Sequence, residues 1–223
     1  MMESVDIRKG WHRRQWLAHC SLLLWAAPLR AQSRSPSAER TLLVVGDSLS
    51  AEYGLARGSG WVALLAQRIA KARLRWRVVN ASISGDTTSG GLSRLPALLQ
   101  EHRPAVVVIE LGGNDALRGL PLAMTQSNLE AMAKAAKAAG AKVVIVGMQV
   151  PPNYGRQYGD EFAALFGRVA KAEHAALVPF LLHGVADVPG ADANFQPDRI
   201  HPLASQHPRM LDNVWPVLRP LLR

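Results

Sequence analysis

Four residues of this 223-residue chain, Ser48, Asn114, Asp198 and His201, are of the types that acyl transfer requires. That chemistry needs a nucleophile, a base to take its proton, a group to orient the base, and donors for the oxyanion that develops. Ser48, in Gly46-Asp47-Ser48, can be the nucleophile, and His201 its base. Asp198 lies three residues before His201, so one turn brings its carboxylate to the imidazole Nδ1–H. That contact fixes the tautomer and leaves Nε2 for Ser48. Asn114 offers a side-chain NH2, Gly85 a backbone N–H with no Cβ to block a substrate, and Ser48 its own N–H as a third donor. No His/Cys cluster has metal-ligand spacing, so the expected chemistry needs no metal and no cofactor. Gly-x4-Gly-Lys and Gly-x-Ser-x-Gly are both absent from the chain, which sets aside a phosphate loop and the nucleophile elbow of α/β-hydrolases.

Each short motif also has a plain structural use. Ser48 can cap a helix, Asp198–His201 can close a turn, and Gly112-Gly113-Asn114 can be a tight turn. Asp47 reads as structural, accepting backbone amides within its loop, and His183 and His207 as ordinary histidines. A metal-dependent phosphatase using Asp47 and Asp115 would need more converging carboxylates. A non-catalytic binding module would have no use for the full set.

The elements that must position these residues alternate along the chain. Apolar runs predict strands at 42–45, 77–79, 105–110, 142–148 and 177–180. Helical spacing predicts helices at 61–72, 89–101, 121–139 and 161–174, with another after 202. Pro121 suits a first helical turn and Gly140 a position just past a helix end. Pro208, Pro216 and Pro220 predict a broken last helix. Continuous Val and Ile runs separated by helices indicate parallel strands buried on both faces, hence a three-layer α/β/α domain with five strands. Parallel strands point one way, so the polar islands 46–50, 80–87 and 112–115 should meet at one edge of the sheet, where ligands bind. The island 198–202 joins them from the tail. Leu117 and Leu120 after the third strand, and Val150 and Pro151 after the fourth, are expected to border Ser48 as an apolar groove. Leu117 and Leu120 can equally pack their loop against the helix at Pro121.

The N-terminal 31 residues read as an export signal. Arg8, Lys9, Arg13 and Arg14 form a basic region before a mostly apolar stretch at 16–29, which is too short to span a bilayer. Arg13-Arg14 also fits a twin-arginine signal, beside the ordinary secretory reading. The only cysteine, Cys20, falls inside this segment, and His19 before it argues against a lipoprotein site. Residues 32–40 read as a linker and 41–223 as the single domain, expected in the periplasm or secreted. The net charge of +9 becomes +6 once the segment's five basic and two acidic residues are removed. The basic residues are scattered, so no nucleic-acid footprint is expected. Transient contact with anionic lipid is compatible with the charge, and no obligate protein partner is evident.

Taken in order, "GDSLSAEYGL", "NASISGDTTSGG", "ELGGNDALRGLP" and "DRIHP" resemble the four blocks of the SGNH (GDSL) hydrolase superfamily. They are most similar to its branch of exported bacterial arylesterases and multifunctional thioesterase/protease/lysophospholipase enzymes. The resemblance covers residues 41 to 223. It implies a flavodoxin-like sheet of order 2-1-3-4-5 and hydrolysis of small acyl esters and thioesters. It also implies that the loop after the third block helps hold the acyl chain. Carbohydrate deacetylation is a further possibility within the superfamily. From the leader we expect a mature N-terminus near Gln32. Mass spectrometry of the protein from its host checks this, and an intact Met1 on a cytoplasmic protein contradicts it.

Overall fold

The computed structural model describes residues 39–223. The expected leader and nearly all of the expected linker lie outside the described residues. Five strands form one parallel sheet in the order β2-β1-β3-β4-β5: β1 (Arg40–Gly46), β2 (Trp76–Asn80), β3 (Val106–Glu110), β4 (Lys142–Val146) and β5 (Ala176–Val178). This is the three-layer arrangement expected from the alternating elements, in the flavodoxin-like strand order that the family resemblance implies. β1 already starts at Arg40, inside the expected linker, because Arg40 pairs with Trp76 of β2.

Helices cover both faces. They are α1 (Trp61–Lys71), α2 (Thr88–His102), α3 (Gly113–Leu117), α4 (Leu122–Ala138), α5 (Arg156–Ala172) and α6 (His207–Leu218). α1 packs with α6, while α4 lies between α2 and α5. Covering both faces explains why Leu42–Val45 and Val106–Ile109 are all fully buried, and why these strands carry no apolar–polar alternation. Trp61, Phe162 and Phe166 are the largest fully buried side chains.

Several boundaries differ from the sequence expectation for identifiable reasons. α3 is one short turn of helix, entered through Gly112 at φ +120°, so Asn114 sits on a helix and not in a tight turn. Pro121 caps α4 in an extended conformation and does not enter its first turn. α5 begins at Arg156, ahead of the expected 161. Its first turn is polar, but Tyr154, Tyr158 and Phe162 stack in succession at 5.9 and 6.4 Å and carry the apolar face back into it. α6 runs unbroken through Pro216 before a 3-10 turn at Arg219–Leu222. Pro208 stands in its first turn, where no N–H is needed, and the buried face of Met210, Leu211, Val214 and Leu218 holds the rest.

Just beyond β4, Gly147 donates to the carbonyl of Val178 (2.8 Å) and accepts from Leu181 N–H (3.0 Å). A Cβ on Gly147 would lie 2.3 Å from the carbonyl oxygen of Pro179. That neighbour is backbone and cannot swing aside. Gly147→Ala should therefore destabilise the domain by about 1–3 kcal/mol, as overpacking does. Urea denaturation measures it, and an unchanged midpoint contradicts the close approach.

Candidate active site

β1 ends against β3, with Gly46 paired to Glu110. A turn follows at once, in which Ser50 and Ala51 N–H donate to the carbonyl of Asp47. Gly46 is needed here because a Cβ would lie 2.8 Å from Ser50 Oγ and 2.9 Å from Glu110 Oε2. The turn sets Ser48 at the carboxyl edge of the sheet. His201 reaches it from the tail: its Nε2 is 2.8 Å from Ser48 Oγ, and its Nδ1 is 2.7 Å from Asp198 Oδ2. The other oxygen, Asp198 Oδ1, accepts the N–H groups of Ile200 (2.9 Å) and His201 (3.0 Å). One carboxylate thus shapes the turn and orients the ring. Desolvation works against its charge, but these two N–H groups and the imidazole outweigh it and hold the Asp198 pKa at about 2.

Asn114, expected as an oxyanion donor, faces the same turn. Its Nδ2 donates to Asp47 Oδ2 at 3.0 Å, while Asp47 Oδ1 accepts Leu49 N–H at 3.0 Å. An amide nitrogen has two hydrogens, so one remains for a substrate. Asp47 therefore does more than brace its own loop, because it also fixes the direction of the Asn114 amide. Burial raises its pKa to about 6, against the Leu49 N–H, the charge of His201 and the Asn114 amide.

Gly85 adjoins on the loop after β2, where its carbonyl accepts from Arg118 Nη2 at 2.7 Å. Its glycine identity is explained by a φ of +79°. A Cβ would meet no protein atom nearer than 3.8 Å, so space on the protein side does not demand it. Among the described residues, neither the Gly85 N–H nor the Ser48 N–H has a hydrogen-bond partner.

Two braces were not foreseen. Gln196 bonds its own loop through N–H to the His201 carbonyl (2.8 Å) and Nε2 to the Pro202 carbonyl (3.3 Å). The same Nε2 donates to the Tyr53 carbonyl (3.0 Å), tying the histidine loop to the serine loop. The Tyr53 ring lies over His201 with centroids 4.3 Å apart. Behind the site, Glu110 Oε2 is 2.6 Å from Ser50 Oγ, which also accepts from Trp61 Nε1 at 3.2 Å. Burial, and then the charge of Asp47, push the Glu110 carboxyl well above the usual carboxylate range. An acid ending an otherwise apolar strand, "VVVIE", is the sequence signal for this group.

The remaining expectations divide. Leu117 is exposed, Leu120 half-buried and Pro151 exposed, whereas Val150 packs against the core. A cavity of about 440 Å3 beyond Pro151, lined by residues from Tyr154 to Glu161, does not include Ser48. His207 is buried and its Nδ1 accepts Trp61 N–H at 3.0 Å, a structural role. His183 has a carboxylate beside it, Asp187 at 2.7 Å, but among the described residues no serine is bonded to it, so it lacks the constellation that surrounds His201. Asp115 is fully buried and accepts from Thr88 N–H (2.9 Å) and Thr125 Oγ1 (3.3 Å). Its oxygens are turned to α2 and α4, which removes the two-aspartate phosphatase arrangement.

Residues 44–207 match the sequence model of the GDSL-like lipase/acylhydrolase family. The chain is 58% identical over 186 residues to esterase TesA of Pseudomonas aeruginosa, covering 83% of this chain and 91% of that one. It is 41% identical over 186 residues to thioesterase 1/protease 1/lysophospholipase L1 of Escherichia coli, covering 83% and 86%. A crystal structure of TesA superposes with a TM-score of 0.78 over 82% of this chain and 99% of that chain. The psychrotrophic esterase EstA from Pseudoalteromonas, solved inhibited by monoethylphosphonate, is 38% identical with a TM-score of 0.76, covering 82% and 98%.

If Asp47 acts by holding Asn114, Asp47→Ala should lower kcat on a p-nitrophenyl ester by about tenfold. That is less than the 10²–10³ lost with an oxyanion donor itself, and KM should change little. Steady-state kinetics separates the two, and a change in KM alone contradicts the positioning role.

Proposed function

The chain belongs to the GDSL-like lipase/acylhydrolase family, and from this premise we propose that it is an exported serine esterase that hydrolyses single-chain acyl esters and thioesters. The observation that carries the reading is the continuous hydrogen-bond chain Ser48 Oγ–His201 Nε2 (2.8 Å) and His201 Nδ1–Asp198 Oδ2 (2.7 Å).

The geometry supports the following course. Ser48 Oγ attacks the acyl carbonyl as its proton passes to His201 Nε2. Asp198, ionised throughout at neutral pH, stabilises the imidazolium and keeps Nε2 aimed at the serine. The carbonyl oxygen becomes an oxyanion held by the Ser48 and Gly85 N–H groups and the free hydrogen of Asn114 Nδ2. The intermediate collapses, the C–O or C–S bond breaks, and the Nε2 proton goes to the leaving group. Water then attacks the acyl-serine with His201 as base, releasing the acid and restoring Ser48. Leu117 and Leu120, just past Asn114, are the proposed contacts of the acyl chain, while partly buried Val150, packed against the core, favours a core role there. Export rests on the leader expected at 1–31. Among the described residues no helix is long and apolar enough to cross a membrane.

Ser48→Ala and His201→Ala should each cost a thousandfold or more in kcat on p-nitrophenyl esters. Asn114→Ala should cost roughly 10²–10³, with a smaller change in KM. Retention of most activity in Ser48→Ala refutes the nucleophile. Across the same esters, efficiency should rise with chain length by about 0.8 kcal/mol per buried CH2 until the groove is full. A strong preference for acetyl esters instead redirects the reading to deacetylation.

A further inference from the structure

Six large apolar side chains are exposed among the described residues: Tyr53, Ile83, Leu117, Val188, Ile200 and Leu203. Exposed apolar residues scattered singly need no explanation. These are not scattered, because four of them sit on the segments that carry the site, three on loops and Leu117 at the end of α3. Tyr53 lies over His201, Ile83 is two residues before Gly85, Leu117 three after Asn114, and Ile200 directly precedes His201. β2 and β3 flank β1, so the loops bearing Ile83 and Leu117 leave the sheet on opposite sides of the Ser48 turn. A single acyl chain leaving Ser48 follows one side and cannot account for both.

The same loops are cationic. Arg57, Arg118 and Arg199 are exposed, and none forms an ion pair among the described residues. Arg118 donates to the Gly85 carbonyl, a neutral partner that leaves its charge uncompensated. The acids nearby are mostly engaged internally. Asp47 is buried, Asp86 pairs with Arg94, Glu52 accepts the Gly58 and Gly60 N–H groups, and Asp198 faces His201. Asp192, on the adjoining 3-10 turn, is the exposed exception.

We propose that this rim is a docking surface for an anionic lipid bilayer. Tyr53, Ile83, Leu117 and Ile200 enter the headgroup boundary, and the three arginines meet lipid phosphates. The surface does not depend on the esterase reading. Its consequence does rest on it: Ser48 would take single-chain acyl lipids from the membrane face instead of waiting for them in solution.

Sedimentation with sucrose-loaded vesicles tests the surface, using the chain carrying Ser48→Ala so that no lipid is consumed. Vesicles of phosphatidylglycerol and phosphatidylethanolamine should bind it, and vesicles of phosphatidylcholine alone should bind it at least tenfold more weakly. Arg57→Gln and Arg199→Gln should each weaken binding about fivefold, the value of one basic residue near an anionic surface. Ile83→Ser with Ile200→Ser should weaken it tenfold or more. Comparison within one chain length cancels any contribution from the leader. No binding, equal binding to both vesicle types, or binding unaffected by the Ile83 and Ile200 changes overturns the proposal. Turnover of a soluble acetyl ester, with Ser48 present, reports on the esterase reading separately. There, Ile83→Ser should match the unaltered chain.

Discussion

Everything at the site depends on β1 being paired on both edges, to β2 and to β3, with all three strands parallel. Neighbouring strands lie about 4.8 Å apart, so three loops that leave the same edge side by side are held within side-chain reach of one another. The chain supplies its serine from the middle strand, its glycine from one neighbour and its asparagine from the other. The sheet itself can contribute no chemistry, because both faces are covered and Leu42–Val45 and Val106–Ile109 are fully buried. Polar function is confined to where the strands stop. His201, with Asp198, comes from outside this frame, which is why their loop needs separate anchors. These are the Phe195–Pro202 bridge, the Asp198 turn and the Gln196 tie to Tyr53.

Confining polar groups to the strand ends has a cost. Asp47 and Glu110 are two acids buried beside one another, each pushed upward by burial first and by nearby charge in part. The folded pKa of Asp47, about 6, lies above its ordinary value of 3.8. What it contributes to stability is therefore fully present below pH 4 and lost as pH rises through 6. Asp198 runs the other way: depressed to about 2, its contribution is present above pH 4 and lost as pH falls through 2. Near neutral pH the fold keeps the full benefit of Asp198 while bearing the cost of an ionised Asp47. The Asn114 amide, donating to Asp47, favours that ionised form. A neutral, well-packed residue at position 47 would cost the fold less and leave the Asn114 amide without the acceptor that now directs it.

How much of this was legible in the sequence follows from the same physics. Continuous runs rich in Val and Ile, alternating with helical patterns, indicate strands buried on both faces, so the sheet and the convergence of its loops could be read directly. Asp198 and His201 were legible as a pair because they are three residues apart and a required tautomer relates them, whereas Ser48, 153 residues from His201, was legible only from its place at the end of an apolar strand. The braces were not. Gln196 acts through carbonyls of Tyr53 and Pro202, and any polar residue in a loop has that capacity before folding decides who its neighbours are. The role of Asp47 toward Asn114 spans 67 residues, and Glu110 meets Ser50 across 60. Nothing local in the chain encodes such pairs. The start of α5 was missed because its first turn is polar on every side but the one where Tyr158 packs. Gly85 was singled out for the space a Cβ would take from a substrate, and the fold adds a second reason for glycine that the sequence did not show, its backbone angle of φ +79°.

An arrangement braced in this way can remain open. Most enclosed sites hold their geometry through packing, and the surrounding wall then limits what may approach. Here Arg94 bonds Asp86 and the Ala81 and Gly46 carbonyls, Arg118 bonds the Gly85 carbonyl, and Gln196 bonds across to Tyr53. Each loop is tied to its neighbour by a long polar side chain reaching a backbone carbonyl, so order does not require a lid. Hydrogen bonds of this kind contribute only about 1 kcal/mol each, but they act between loops whose roots the sheet has already fixed. The apolar side chains on those loops are consequently not consumed in holding the site together. Tyr53, Ile83, Leu117 and Ile200 stay on the outside, where they can meet something apolar that is larger than a single small ester.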